Sequence, residues 1–141
     1  MTDEEFSNLA NDLRLACQRI ARRVRFEGTG PVAPHQFAVL AKTVQEGRTP
    51  TWLAEQERVS TPSMTRTLNG LAELGLVERR PHPSDGRQVL VHATDDGREV
   101  VARVMHDRDG WMARHLRGVP ADDLEVLRRA ADILLEVAAR D

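Results

Sequence analysis

Between positions 61 and 71 of this 141-residue chain, apolar Met64, Leu68 and Leu71 recur at i, i+4 and i+7. At about 100° per residue that spacing turns those three inward on a helix and places Pro62, Arg66 and Asn69 on the far side. Ser63, Thr65 and Gly70 flank the outward face. A helix that exposes small residues with one Arg and one Asn fits a DNA major groove about 12 Å wide, where Arg bonds guanine and Asn bonds adenine through paired hydrogen bonds. A second set of donors follows. The turn-forming run Pro81-His82-Pro83-Ser84-Asp85-Gly86 separates two short segments, with His82 and Arg87 at its tip and Arg79 and Arg80 at its base. Asp85 is spaced to steady the Arg87 guanidinium through charge-assisted hydrogen bonds, so that Arg87 reaches a narrow minor groove. Taken singly, each cluster equals an ordinary solvated surface; together they describe a helix and a hairpin tip that act on one duplex.

Other chemistries find less support. The only cysteine is Cys17, so no intrachain disulfide and no cysteine-only metal cluster is expected, which fits a reducing cytoplasm. His35, His82, His92, His106 and His115 never occur four apart and have no cysteine partner in reach, so no metal site and no cofactor is expected. The chain carries no nucleophile elbow, zinc-protease motif or glycine-rich phosphate loop, and the His106-Asp107 neighbours point to different sides of a helix, so an enzyme is not expected. Aromatic residues make up 4% and tyrosine is absent, which argues against a base-stacking single-strand binder. With 22 acidic against 20 basic residues the net charge is -2, so any nucleic-acid site must be local rather than a product of bulk charge. The acidic start Met1-Thr2-Asp3-Glu4-Glu5 and the absence of an apolar run longer than Phe37 to Ala41 predict neither a signal peptide nor a membrane span, hence a soluble cytoplasmic protein.

The elements that position these residues read as mainly helical. Phe6, Leu9, Leu13, Ala16/Cys17, Ile20 and Val24 predict an amphipathic helix over roughly Asp3 to Phe26, broken by Gly28-Thr29-Gly30-Pro31. Phe37, Leu40, Ala41 and Val44 predict a second helix from Pro34 to about Gln45. Thr49-Pro50 and Ser60-Thr61-Pro62 are cap-plus-proline starts for a short helix over about 50 to 57 and for the helix that ends near Leu74-Gly75. Leu76 to Arg80 and Gln88 to His92 predict two strands. Thr94-Asp95-Asp96-Gly97 opens a fifth helix with Val100, Val101, Val104, Met105, Trp111 and Met112 on its apolar face. Pro120 starts a last helix with two neighbouring apolar seams, one of Leu124, Leu127, Ala131, Leu134 and Ala138, the other of Val126, Ala130, Ile133 and Val137. The expected fold is mainly α with a small two-stranded β-wing: a winged helix-turn-helix over 34–93, flanked by helices over 3–27 and 97–139, in a single domain spanning 1–141. The terminal helices carry more apolar surface than that small unit covers, which predicts pairing of two chains.

The segments Leu53-Ala54-Glu55, Val59-Ser60, Met64-Thr65-Arg66, Leu74-Gly75-Leu76-Val77-Glu78-Arg79, Asp85-Gly86-Arg87 and Thr94-Asp95-Asp96-Gly97 resemble the MarR family of bacterial transcriptional regulators. The resemblance implies a homodimeric regulator, a repressor by expectation, that binds a palindromic operator with its recognition helices in successive major grooves and its wings in the flanking minor grooves. Carried over, the DNA-binding residues are Thr61, Pro62, Ser63, Thr65, Arg66 and Asn69, with Arg87 in the minor groove and Asp85 as its support; His82, a donor at the hairpin tip, completes the candidate DNA-binding set. It also implies release by a small aromatic or anionic effector, for which Phe26, His35, Phe37 and Trp111 are the candidate lining residues. Two alternatives stand beside this reading. One is a winged-helix protein-interaction module without specific DNA binding. The other is a redox sensor using Cys17, which lies on the apolar stripe, where a buried thiol is unreactive.

Overall fold

A computed structural model describes residues 1–27 and 30–140. Among them are six helices and one antiparallel sheet: α1 (Asp3–Arg25), α2 (Pro34–Lys42), α3 (Pro50–Glu57), α4 (Thr61–Glu73), β1 (Val77–Pro81), β2 (Val89–Ala93), α5 (Asp95–Leu116) and α6 (Ala121–Ala138). The mainly helical fold with a two-stranded wing is therefore as expected. Gly28 and Thr29, half of the expected break after α1, lie outside the described residues. The chain forms two compact units, Met1–Arg108 and Asp109–Asp141.

In the first unit, α1 begins with a reciprocal cap in which the Thr2 hydroxyl accepts from the Glu5 backbone N–H and the Glu5 carboxylate accepts from the Thr2 N–H at 2.7 Å. None of its residues is buried, and Phe6, Leu9, Leu13 and Ile20 stand exposed along one stripe. The core lies further along the chain, built from Phe37, Val39 and Leu40 of α2, Leu53 and Ala54 of α3, Met64, Leu68 and Leu71 of α4, Val77, Val91 and Ala93 of the strands, and Val100 and Val104 of α5. Thr49 and Ser60 cap α3 and α4 through their hydroxyls, as their sequence positions imply. Between these helices the chain turns at Arg58, whose φ of 53° is left-handed. The Val59 N–H closes the turn on the Ala54 carbonyl at 3.0 Å.

The end of α2 and the starts of both strands differ from expectation. Helix α2 stops at Lys42 instead of near Gln45, because Thr43 is buried and its backbone is committed elsewhere: its hydroxyl donates to the Leu40 carbonyl at 2.8 Å, and its own carbonyl accepts from Ala93 N–H at 3.2 Å. The strands begin one residue later than predicted, with Val77 opposite Ala93 and Pro81 opposite Val89. Arg48 adds a bridge to the sheet, exchanging both backbone hydrogen bonds with Val91 at 3.0 and 2.8 Å. Met105, expected on the apolar face of α5, is 48% exposed.

The junction from α4 to α5 is held by Thr94. Its hydroxyl donates to the Gly75 carbonyl at 2.7 Å and accepts from the Gly97 N–H at 3.1 Å, while its backbone N–H donates to the Leu76 carbonyl at 3.0 Å. Gly75 has a φ of 72°, so the chain leaves α4 through a conformation that glycine adopts without strain. Through its side chain and backbone, Thr94 thus ties the exit from α4, the residue before β1 and the start of α5 together.

In the second unit, Trp111 is buried and stacks on His115 with ring centroids 3.9 Å apart, and His115 Nδ1 donates to the Trp111 carbonyl at 2.8 Å. Gly118, at φ 91°, and Pro120 separate α5 from α6. Helix α6 has no buried residue: Leu124, Val126, Leu127, Ile133, Leu135 and Val137 are all exposed on the single chain.

Candidate nucleic-acid interface

Helix α4 presents the face its pattern predicts. Met64, Leu68 and Leu71 are buried, as is Thr67, whose hydroxyl is satisfied by the Ser63 carbonyl at 3.2 Å. Thr61, Pro62, Thr65, Arg66 and Asn69 are exposed and Ser63 is half-buried. The Thr65 hydroxyl donates back to the Thr61 carbonyl at 3.0 Å, which leaves its oxygen lone pairs and its methyl toward solvent. Gly70 lies under the Gln36 side chain, where an added Cβ would sit 2.9 Å from Nε2. Gln36 Oε1 in turn accepts from the Ala33 N–H at 2.9 Å, so the start of α2 is braced against the middle of α4.

The hairpin tip is ordered by its own polar groups. Asp85 Oδ1 accepts from both the backbone N–H of Arg87 at 3.1 Å and its Nε at 3.3 Å, while the Arg87 side chain is 92% exposed. Asp85 thus engages the Nε edge of Arg87, while the rest of the guanidinium is open to solvent. His82 takes an inward role instead: half-buried, its Nδ1 accepts from the Ser84 and Asp85 backbone N–H groups, each at 3.1 Å. Only its Nε2 edge is left for a partner outside the tip.

At the wing base, strand pleating puts alternate side chains on opposite faces. Arg79 shares the face of buried Val77, and its Nη2 donates to Asn69 Oδ1 of α4 at 2.7 Å. Glu78 and Arg80 occupy the other face and pair with each other. The Arg79–Asn69 link is absent from the sequence pattern, since residues ten apart on a helix and a strand share no periodicity. Arg48 is a second unanticipated fixture: its guanidinium lies 4.1 Å from the Trp52 ring centroid and bonds Glu46 at 2.6 Å, tying β2 to the start of α3.

The four candidate effector residues do not form one site in the first unit. Phe37 is buried in the core with Arg108 over its ring at 4.3 Å, Phe26 is 66% exposed past the end of α1, and His35 is exposed at the start of α2. Trp111 belongs to the second unit. Phe37 does line a groove of about 560 Å³ with Val24, Arg25, Ala38, Met105 and Arg108. Arg108 Nη2 donates to the Arg25 carbonyl at 3.2 Å and its Nε is buried without a partner. Burial first, and the charge of Arg25 second, hold the Arg108 guanidinium below its usual basicity. Arg108 was missed because a lone Arg on an amphipathic helix carries no signal of what it faces. Cys17, expected among buried apolar neighbours, is exposed on the single chain, where none of the described residues of α1 is buried. Among the described residues no group of His, Cys, Asp and Glu is arranged to hold a metal, and no helix is long and apolar enough to cross a membrane.

Comparison with known proteins accords with this geometry. A profile of the MarR family matches residues 31–88, the stretch from the start of α2 to the wing tip. An HTH-type transcriptional regulator of Mycobacterium leprae is 44% identical over 133 residues, covering 93% of both chains. The chain belongs to the MarR family. A second HTH-type transcriptional regulator, from Mycobacterium tuberculosis, is 43% identical over 92% of both chains. Among solved structures, a transcriptional regulator from Pseudomonas aeruginosa superposes with a TM-score of 0.83 at 25% identity over all of both chains. Apo MarR from Escherichia coli does so at 0.71 and 25%, over 90% of this chain and 96% of its own. This MarR-family chain is accordingly a DNA-binding regulator of transcription and not an enzyme. In its MarR fold, α3 and α4 form the helix-turn-helix and β1–β2 the wing.

Proposed function

We propose that this MarR-family regulator is a repressor that binds a palindromic operator as a homodimer, with α4 in the major groove and Arg87 in the adjoining minor groove. The observation that carries the reading is the Asp85-steadied, 92% exposed Arg87 on the same winged unit as an α4 face of small residues centred on Arg66. Thr61, Pro62, Ser63 and Thr65 fit as the close-approach surface, Arg66 as the guanine reader, and His82 as an organiser of the wing rather than a base contact. The exposed apolar stripes of α1 and α6 support two-fold pairing, since such surface on a lone chain is an aggregation liability. A dimer of this kind sets half-sites about 10 base pairs apart.

The groove beside Phe37 supports an effector with an apolar body and a negative charge, because Arg25 and the partly unpaired Arg108 lie on an otherwise apolar wall. An anion bound there lowers DNA affinity only by as much as it prefers the conformation unsuited to the duplex. The test is selection of random duplexes by the full-length protein, followed by anisotropy on the winner across salt concentrations. A palindromic winner and a steep salt slope are the expected result. Weak binding indifferent to sequence and salt would replace this reading with a protein-interaction module of the same fold.

A further inference from the structure

The contact between Arg79 and Asn69 fixes more than the packing of a strand on a helix. A guanidinium carries only donors, so the atom of Asn69 that it meets at 2.7 Å must be the amide oxygen. The choice between the two amide orientations is thereby made by chemistry. Reading adenine through paired bonds needs both ends of the asparagine amide: the oxygen must accept from adenine N6 while the nitrogen donates to N7. Here the oxygen is turned to β1 and already engaged. The remaining group is the Nδ2 amino end, with the Arg79 guanidinium beside it. Together they make a patch of donors, which suits the O6 and N7 acceptors of guanine and opposes the amino group of adenine.

The position of Arg79 is built into the wing. It sits opposite buried Val91 in the strand register and on the face of Val77, while the neighbouring cation Arg80 faces the other way and is neutralised by Glu78. Arg79 is thus the β1 arginine whose charge is directed to α4. Arg66, three residues before Asn69, lies on the same exposed helix face and offers donors as well.

We propose that Arg79 is a specificity-determining positioning residue: by holding the Asn69 amide oxygen it makes Asn69 a donor-only contact that selects guanine and rejects adenine at one base position in each half-site. The proposal rests on α4 being the recognition helix. The experiment is random-duplex selection with the full-length wild type, Asn69→Ala, Arg79→Met and Arg79→Lys, with urea unfolding to show that each variant is folded. Asn69→Ala identifies the position that Asn69 reads, and wild type is expected to prefer guanine there. Arg79→Met, which keeps the stem and removes the donors, should swing the adenine-to-guanine ratio at that position by about fivefold or more toward adenine and leave the other positions unchanged. Arg79→Lys should restore part of the guanine preference.

Three outcomes overturn the assignment without touching the functional reading: adenine already preferred there by wild type, no position that responds to Asn69→Ala, or a uniform loss of affinity in Arg79→Met with base preferences unaltered. The last would make Arg79 a phosphate contact. Failure of wild type to enrich any sequence would instead remove the reading of α4 itself, and the proposal with it.

Discussion

Replacing Gly97 by alanine tests the joint that sets α4, the wing and α5 against one another. A Cβ built at Gly97 lies 2.1 Å from the Leu76 carbonyl oxygen and 3.2 Å from a methyl of Leu40. The first contact is with backbone, so no side-chain rotation relieves it. The start of α5 must move away by about 1 Å to reach ordinary van der Waals separation. That displacement breaks or stretches the 3.0 Å bond from Thr94 N–H to the same Leu76 oxygen, worth about 0.5–1.5 kcal/mol. Overpacking of the core adds about 1–3 kcal/mol. Against these stands the better helix propensity of alanine, about 1 kcal/mol. The steric terms win, and the net loss is about 1–3 kcal/mol. With a urea dependence of about 2 kcal/mol per molar, the unfolding midpoint should fall by about 0.5–1.5 M.

The assay is urea unfolding followed by circular dichroism at fixed protein concentration, with Gly47→Ala as the comparison. At Gly47 the obstructing atoms belong to the His92 ring, 2.4 Å from the built Cβ, which is a side chain that can swing aside. Gly97→Ala should therefore be the more damaging of the two. An unchanged or raised midpoint in Gly97→Ala, or the reverse order, would refute the claim that α5 is seated on the Leu76 backbone.

Arg66→Ala is expected to cost about 1–3 kcal/mol of operator affinity and to relax preference at one base position, checked by selection on randomised sites. Arg87→Ala should weaken binding at all sequences and lower the slope of log affinity against log salt by about 0.9 for each phosphate that is no longer neutralised, measured by anisotropy. Asp85→Asn keeps an oxygen for the Arg87 backbone N–H but removes the charge that steadies the guanidinium. It should reduce affinity less than Arg87→Ala and leave unfolding unchanged within about 1 kcal/mol, since the pair is exposed. At the chain start, the Thr2 backbone N–H first, and the Thr2 hydroxyl second, hold the Glu5 carboxyl below its usual pKa. A depressed carboxyl stabilises the folded helix start above about pH 4.3 and ceases to do so as the pH falls through its lowered value. The protection factor of the first-turn amides of α1, which is the exchange rate of the unstructured chain divided by the observed rate at the same pH, should therefore fall on acidification in wild type and stay nearly constant with pH in Glu5→Gln.

Much of this protein is written in local order. The 3.6-residue periods of Met64, Leu68 and Leu71, the cap-plus-proline starts at Thr49-Pro50 and Ser60-Thr61-Pro62, and the turn chemistry around Asp85 are each settled by residues within a few positions of one another. Helices, wing and the outward face of α4 could accordingly be read from the chain alone. The Asp85–Arg87 contact is of the same kind, because its partners are two residues apart.

What tertiary structure decided are the contacts between residues distant in sequence. The end of α2 depends on Ala93 taking the carbonyl of Thr43, and the third backbone partner of the wing depends on Arg48 meeting Val91. Met105 and Phe26 are apolar yet exposed on the single chain, while Thr67 is polar and buried beside the Ser63 carbonyl. Periodicity records which face of a helix is apolar and not what stands opposite it. For the same reason the sequence offers Asn69 as an adenine reader, whereas the fold brings Arg79 to its oxygen and changes what that amide can recognise. A side chain's type is a local property; which of its donors and acceptors remain free is set by the neighbours that folding supplies.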